Sequence, residues 1–254
     1  MPQWLEAGMW GFGSGCALLI GAAFATLRRP SQRLIAVVMA FGSGVLISAV
    51  AFDLMDEAYR QGGFDAAAAG LLGGAIIYTA ANIAISRRGA RHRKRSGYNP
   101  GESQTPAAES GGLAIAVGAL LDGIPESIAI GVSLLDGTGV SLVMVAAVFL
   151  SNVPEGLSSA AGMRAAGRGP AYIFGVWGGI ALTSGIAAML GNLLLAGANP
   201  NVIAAATAVA AGGILAMLVD TMIPEATEET PEFAGLIAVT GFLFAFVLSK
   251  LGSG

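Results

Sequence analysis

The sequence predicts an all-α membrane protein: eight transmembrane helices with inverted-repeat character and both termini outside. Three observations predict it. Hydrophobic residues make up 55% of the 254 and charged residues only 11%, where a soluble domain carries about 25% charged. The apolar residues fall into eight continuous runs, each close to the roughly 20 residues that carry a helix across a hydrocarbon core. Lys and Arg gather in alternate connections between those runs, as the positive-inside rule requires.

The runs are 8–27, 34–57, 67–86, 111–134, 140–163, 171–195, 202–223 and 234–251. They are continuous rather than alternating and far longer than barrel strands of about ten residues. The 38 glycines suit helices that pack closely, because packing drives association where lipid is the solvent. The first run has Glu6 ahead of it and Arg28-Arg29 behind it. It lacks a basic leader, so it reads as an uncleaved span rather than a signal peptide. Cys16 is the single cysteine, which excludes a disulfide framework and a thiolate metal site. The chain reads as one transmembrane domain, 1–254, with one long loop at about 87–110.

One set of connections holds Arg28, Arg29, Arg33, Arg87, Arg88, Arg91, Arg93, Lys94, Arg95, Arg164 and Arg168. The opposite set holds Arg60 and Lys250. Eleven against two places the first set in the cytoplasm, and an even number of spans leaves both termini outside. The second half of the long loop, Ser96 to Ser110, is rich in Gly, Pro, Ser and Glu and is expected to be disordered. The basic half sets topology, or it contacts anionic lipid or an ion. His92, the only histidine, is a poor cation ligand in so basic a run.

Two pairs of runs resemble each other. Asp122-Gly-Ile-Pro-Glu126 in the fourth aligns with Ser151-Asn-Val-Pro-Glu155 in the fifth. Gly44-Val-Leu-Ile with Asp53-Leu-Met-Asp-Glu57-Ala in the second matches Gly213-Ile-Leu-Ala with Asp220-Thr-Met-Ile-Pro-Glu225-Ala in the seventh. Each pair runs in opposite directions, the pattern of an inverted repeat in a secondary transporter. Chance likeness between Gly-rich apolar helices is the rival explanation.

Asp122, Glu126 and Glu155 lie inside the runs. Each charge near a bilayer centre costs about 2.5–3.5 kcal/mol, so three left bare in lipid cost on the order of 8–10 kcal/mol. No Lys or Arg falls in either run, so the acids are expected to be protonated, hydrated or bound to a cation. Asp122 and Glu126 are four apart and share a helix face; Ser151, Glu155, Ser158, Ser159 and Gly162 follow the same period. Pro125 and Pro154 free the carbonyls of Leu121 and Leu150. Carboxylates, an amide, a hydroxyl and free carbonyls suit a hard or borderline divalent cation; buried polar residues tying helices together are the structural alternative. Asp53, Asp56, Glu57, Asp220 and Glu225 read equally as a cation funnel or as solvated helix ends, and Glu225 to Glu232 reads as a solvated loop.

This arrangement resembles the ZIP (Zrt/Irt-like) family of divalent metal transporters over nearly the whole chain. That family has eight spans, outside termini and a long cytoplasmic loop between spans three and four. Its members show motifs such as His-Asn-x-Pro-Glu-Gly where this chain has Asp122-Gly123-Ile124-Pro125-Glu126-Ser127 and Ser151-Asn152-Val153-Pro154-Glu155-Gly156. The resemblance implies that Glu126, Glu155 and Asn152 are metal ligands, and that Asp122 and Ser151 stand where the family usually has His. Gly123 replaces a frequent Asn ligand, and the sixth span, around Trp177 to Gly185, offers no acid. A site poorer in nitrogen favours manganese or iron(II) alongside zinc. The expected function is import of a divalent metal ion (Zn, Mn or Fe(II)) by a non-enzymatic transporter in the cell membrane. The ion is substrate, and no cofactor is expected. The alternatives are a proton-coupled transporter of another cationic or neutral solute and an intramembrane metalloenzyme. The expected partners are the metal ion and the lipid bilayer, with a homodimer left open and no nucleic acid.

Overall fold

The computed structural model describes residues 1–28, 30–87, 109–135, 139–229 and 232–252, and these are helical with no strand among them. The helices are α1 (Gln3–Arg28), α2 (Gln32–Ala49), α3 (Met55–Ile85), α4 (Glu109–Ser133), α5 (Leu142–Ala165), α6 (Pro170–Leu195), α7 (Pro200–Met217), α8 (Ile223–Glu229) and α9 (Ala234–Gly252). Local chemistry fixes their starts. Ser31 and Ser141 each accept a hydrogen bond from the backbone N–H three residues on, at 3.2 and 3.1 Å, the N-cap role of serine. Proline opens α6 and α7, where its missing N–H costs nothing. Six helical stretches are long and apolar enough to cross a membrane: α1, the run 32–85, α5, α6, α7 continued into α8, and α9. Arg29 and the basic cluster Arg88 to Arg95, with His92 and most of the 87–110 loop, lie outside the described residues.

The second and third runs meet differently from expectation. A polar connection is expected at 58–66, but helix continues through it. Short π-helical turns, Val50–Leu54 after α2 and Leu218–Met222 after α7, carry each helix onward. Pairs four apart then support the polar stretch: Arg60 donates to Asp56, and Gln61 donates to Glu57 at 2.6 Å, as neighbours on one helix face do. The break comes at Gly63, with φ 70° and ψ −173°, a region essentially closed to residues with a side chain. There the chain turns back. Met222 reaches Gly42 in α2, while Asp220 accepts from Asn82 near the end of α3 at 2.9 Å. The middle of α2 and the end of α3 therefore both lie against the short Leu218–Met222 turn.

The helices form two groups. In one, α1 packs on α5 and α6, and α6 on α4. In the other, α3 packs on α7 and α2 on α9. Glycine makes the contacts close: a methyl group at Gly44 would overlap the Ala238 carbonyl of α9, and one at Gly212 would overlap the Leu71 carbonyl of α3. Within the first group, Gly156 meets Leu18 of α1 in the same way, and Gly131 meets Ala188 of α6. These contacts fall in matched pairs: α2 with α9 mirrors α7 with α3, and α5 with α1 mirrors α4 with α6. The two groups meet along α2–α5 and α4–α7.

Candidate functional site

The two Pro-Glu segments sit where the groups meet. Pro125 and Pro154 lie inside continuous helices. A methyl added to Gly213 of α7 would come within 3.1 Å of the Pro125 ring, and one added to Gly42 of α2 within 3.0 Å of the Pro154 ring. Each proline thus seats in a glycine hollow of the opposite group. The glutamates that follow them are buried. Glu126 is 1% exposed, Glu155 4% and Asp122 0%. The polar stripe expected along α5 is also interior, since Ser151, Ser158, Ser159 and Gly162 are all buried.

Glu126 and Ser151 come together from α4 and α5. The Ser151 Oγ lies 3.4 Å from Glu126 Oε1 and 3.0 Å from the Val148 carbonyl. A hydroxyl has one proton, and the shorter Val148 contact is the better use of it. Two oxygens about 3.4 Å apart also match two ligands of one cation, each at about 2.0–2.2 Å in tetrahedral geometry. Glu155 lies one turn along α5 from Ser151 on the same buried face.

The other two expected ligands face different neighbours. Asp122 accepts a 2.6 Å hydrogen bond from the Tyr78 hydroxyl of α3. The Asn152 amide donates to the Ser14 carbonyl of α1 at 3.0 Å, tying α5 to α1. Among the described residues, no three His, Cys, Asp or Glu side chains cluster closely enough to hold a metal ion. The arrangement therefore offers a two-helix oxygen pair at Glu126 and Ser151, with Glu155 a turn away and Asp122 and Asn152 engaged on either side.

The acids at the helix ends divide as well. Asp53 in the first π-helical turn accepts from Ser249 of α9 at 3.0 Å, and Asp220 in the second accepts from Asn82 of α3 at 2.9 Å. These are matched positions at opposite faces. A cavity of about 480 Å³ opens at the Asp53 face, lined by Asp53, Asp56, Glu57, Ser133 and Ser141, and it reaches Ala129 of α4, three residues from Glu126. At the other face Glu225 is 5% exposed and accepts from Ser158 of α5 at 2.9 Å. Glu225 therefore belongs to the interior and not to a solvated loop.

Sequence reasoning passed over Tyr78, Ser14 and the burial of Glu225. A hydroxyl on an aromatic ring in an apolar run was a signal for Tyr78, because a buried phenol needs a partner. For Glu225 the signal was its place between Met222 and Ala226, both buried, on the inward side of its helix. No protein-family model matches this chain, and no curated protein matches it significantly.

Proposed function

We propose that this chain is a ZIP-like transporter that carries a divalent metal ion (zinc, manganese or iron(II)) across the cell membrane into the cytoplasm. The observation that carries the proposal is the buried oxygen pair of Glu126 and Ser151, 3.4 Å apart across α4 and α5, at the seam between two helix groups. Glu155 extends the site along α5, and Asp122 and Asn152 complete it when they leave their present partners.

Eight spans follow from counting the two arms of the 32–85 run separately at Gly63 and adding α4. The matched contacts support an inverted repeat, with α2 equivalent to α7, α4 to α5, α1 to α6 and the second arm of α3 to α9. Arg28, Arg33, Arg87, Arg164 and Arg168 all stand at one set of helix ends, with Arg60 and Lys250 at the other. The positive-inside rule makes the first face cytoplasmic and leaves both termini outside. The 480 Å³ cavity then opens outward, and the Glu225–Ser158 contact closes the cytoplasmic side. Transport follows from the group of α1, α4, α5 and α6 moving against the other group, which exposes the seam to each side in turn.

Uptake of Zn²⁺, Mn²⁺ and Fe²⁺ into proteoliposomes tests this. The wild type should accumulate at least one of them, and Glu126→Ala and Glu155→Ala should abolish uptake. Uptake that survives both substitutions removes the site. A current that follows pH and ignores the metal replaces the proposal with proton-coupled transport of another solute.

A further inference from the structure

The geometry assigns Tyr78 as a positioning residue that withholds Asp122 from the cation site, so that an arriving cation must compete with the tyrosine for this carboxylate. The inference rests on the transport proposal above.

Tyr78 is 2% exposed and Asp122 is fully buried. The phenol donates to Oδ1 of Asp122 at 2.6 Å, the length of a charge-assisted O–H···O⁻ bond. The two residues belong to opposite helix groups, since α3 packs on α7 and α4 on α6. Beside this bond the seam is open. An apolar groove of about 720 Å³ runs between the two groups, with Tyr78, Leu121, Pro125 and Gly213 among its walls. The Tyr78–Asp122 bond is thus a polar tie between α3 and α4 beside this apolar groove.

Asp122 and Glu126 share a face of α4, one turn apart. Asp122 could serve a cation held by Glu126 and Ser151, yet Tyr78 draws it toward α3. A carboxylate oxygen that accepts a phenol proton is a weaker cation ligand than a free one. When the cation takes Asp122, Tyr78 is released and α3 loses its tie to α4. When the cation leaves, the tie re-forms. Cation binding by Asp122 and the Tyr78–Asp122 tie thus exclude each other, which couples binding to the α3–α4 boundary. The equivalent position in α9 is Ala245, which has no hydroxyl, so the device exists on one side only.

The full-length protein in lipid nanodiscs is titrated calorimetrically with Zn²⁺ and with Mn²⁺, and uptake kinetics are measured in proteoliposomes. Tyr78→Phe should lower Kd and KM by roughly tenfold, the worth of one charge-assisted hydrogen bond, and should lower the maximal uptake rate. A merely structural role would instead raise KM. The gain in affinity should vanish in the Tyr78→Phe/Asp122→Asn double variant. In the wild type, infrared spectra with ring-labelled tyrosine should show one phenol band shift on Zn²⁺ addition, a measurement that needs no variant to fold. Unchanged or weaker binding by Tyr78→Phe, a gain that survives Asp122→Asn, or an unmoved phenol band overturns the inference alone. A wild type that binds neither ion overturns the transport proposal and this inference with it.

Discussion

Two buried carboxylates in this molecule accept from neutral hydroxyl groups, Asp122 from Tyr78 and Glu225 from Ser158, and half-buried Asp53 accepts from Ser249. A hydroxyl stabilises a carboxylate without cancelling its charge, so the acid keeps its attraction for a cation. Removing such a donor should cost about 1–3 kcal/mol, because the buried acceptor keeps its desolvation penalty. Ser158→Ala is therefore expected to lower the thermal midpoint of the purified protein by several degrees, while Ser158→Thr retains it; differential scanning fluorimetry compares the two. It should also raise solvent access at the Glu225 face. The sequence made Glu126 and Glu155 legible, because a charge amid apolar residues stands out against the cost of its own burial. It hid the partners. Tyr78 lies 44 residues from Asp122, and Ser158 lies 67 from Glu225. No periodicity spans such distances.

The helices were legible as elements because lipid imposes one length on all of them, and apolar runs record that length directly. Their junctions were not. Residues 58–66 read as a polar connection, yet pairs four apart keep the chain helical into it, and the reversal waits for Gly63. The π-helical turns leave no mark in the sequence beyond the acids they carry. Helix contacts depend on glycine where backbone meets backbone. Gly44→Val places a branched side chain against the Ala238 carbonyl of α9, and overpacking of this kind costs about 1–3 kcal/mol or more. Gly13→Val is the control, since a methyl there has nothing within 4 Å. Gly44→Val should lower the thermal midpoint clearly and Gly13→Val hardly at all. Equal effects would mean that α2 and α9 do not rely on this close approach.

At the scale of the whole molecule, two groups of helices meet through two prolines seated on two glycines, and the candidate site lies in that seam. Two pairs of similar segments were visible in the sequence. Which helices group together was not, because grouping depends on which faces of similar Gly-rich helices meet. The orientation proposed for the molecule has a direct test. In a Cys16→Ala background, Arg60→Cys should react with a membrane-impermeant maleimide on intact cells. Arg168→Cys should react only after permeabilisation. The opposite pattern would invert the molecule and make the 480 Å³ cavity a cytoplasmic one.

The reversal at Gly63 bears on how the chain is made. The main packing partners of its two arms, α9 for α2 and α7 for α3, begin at Pro200 and beyond. A ribosome emits both arms long before either partner exists. The nascent hairpin must therefore stand in the bilayer on the greasiness of its own residues, with only a glycine to hold its bend. Its glycine-lined faces wait bare against lipid until the second half of the chain arrives to cover them.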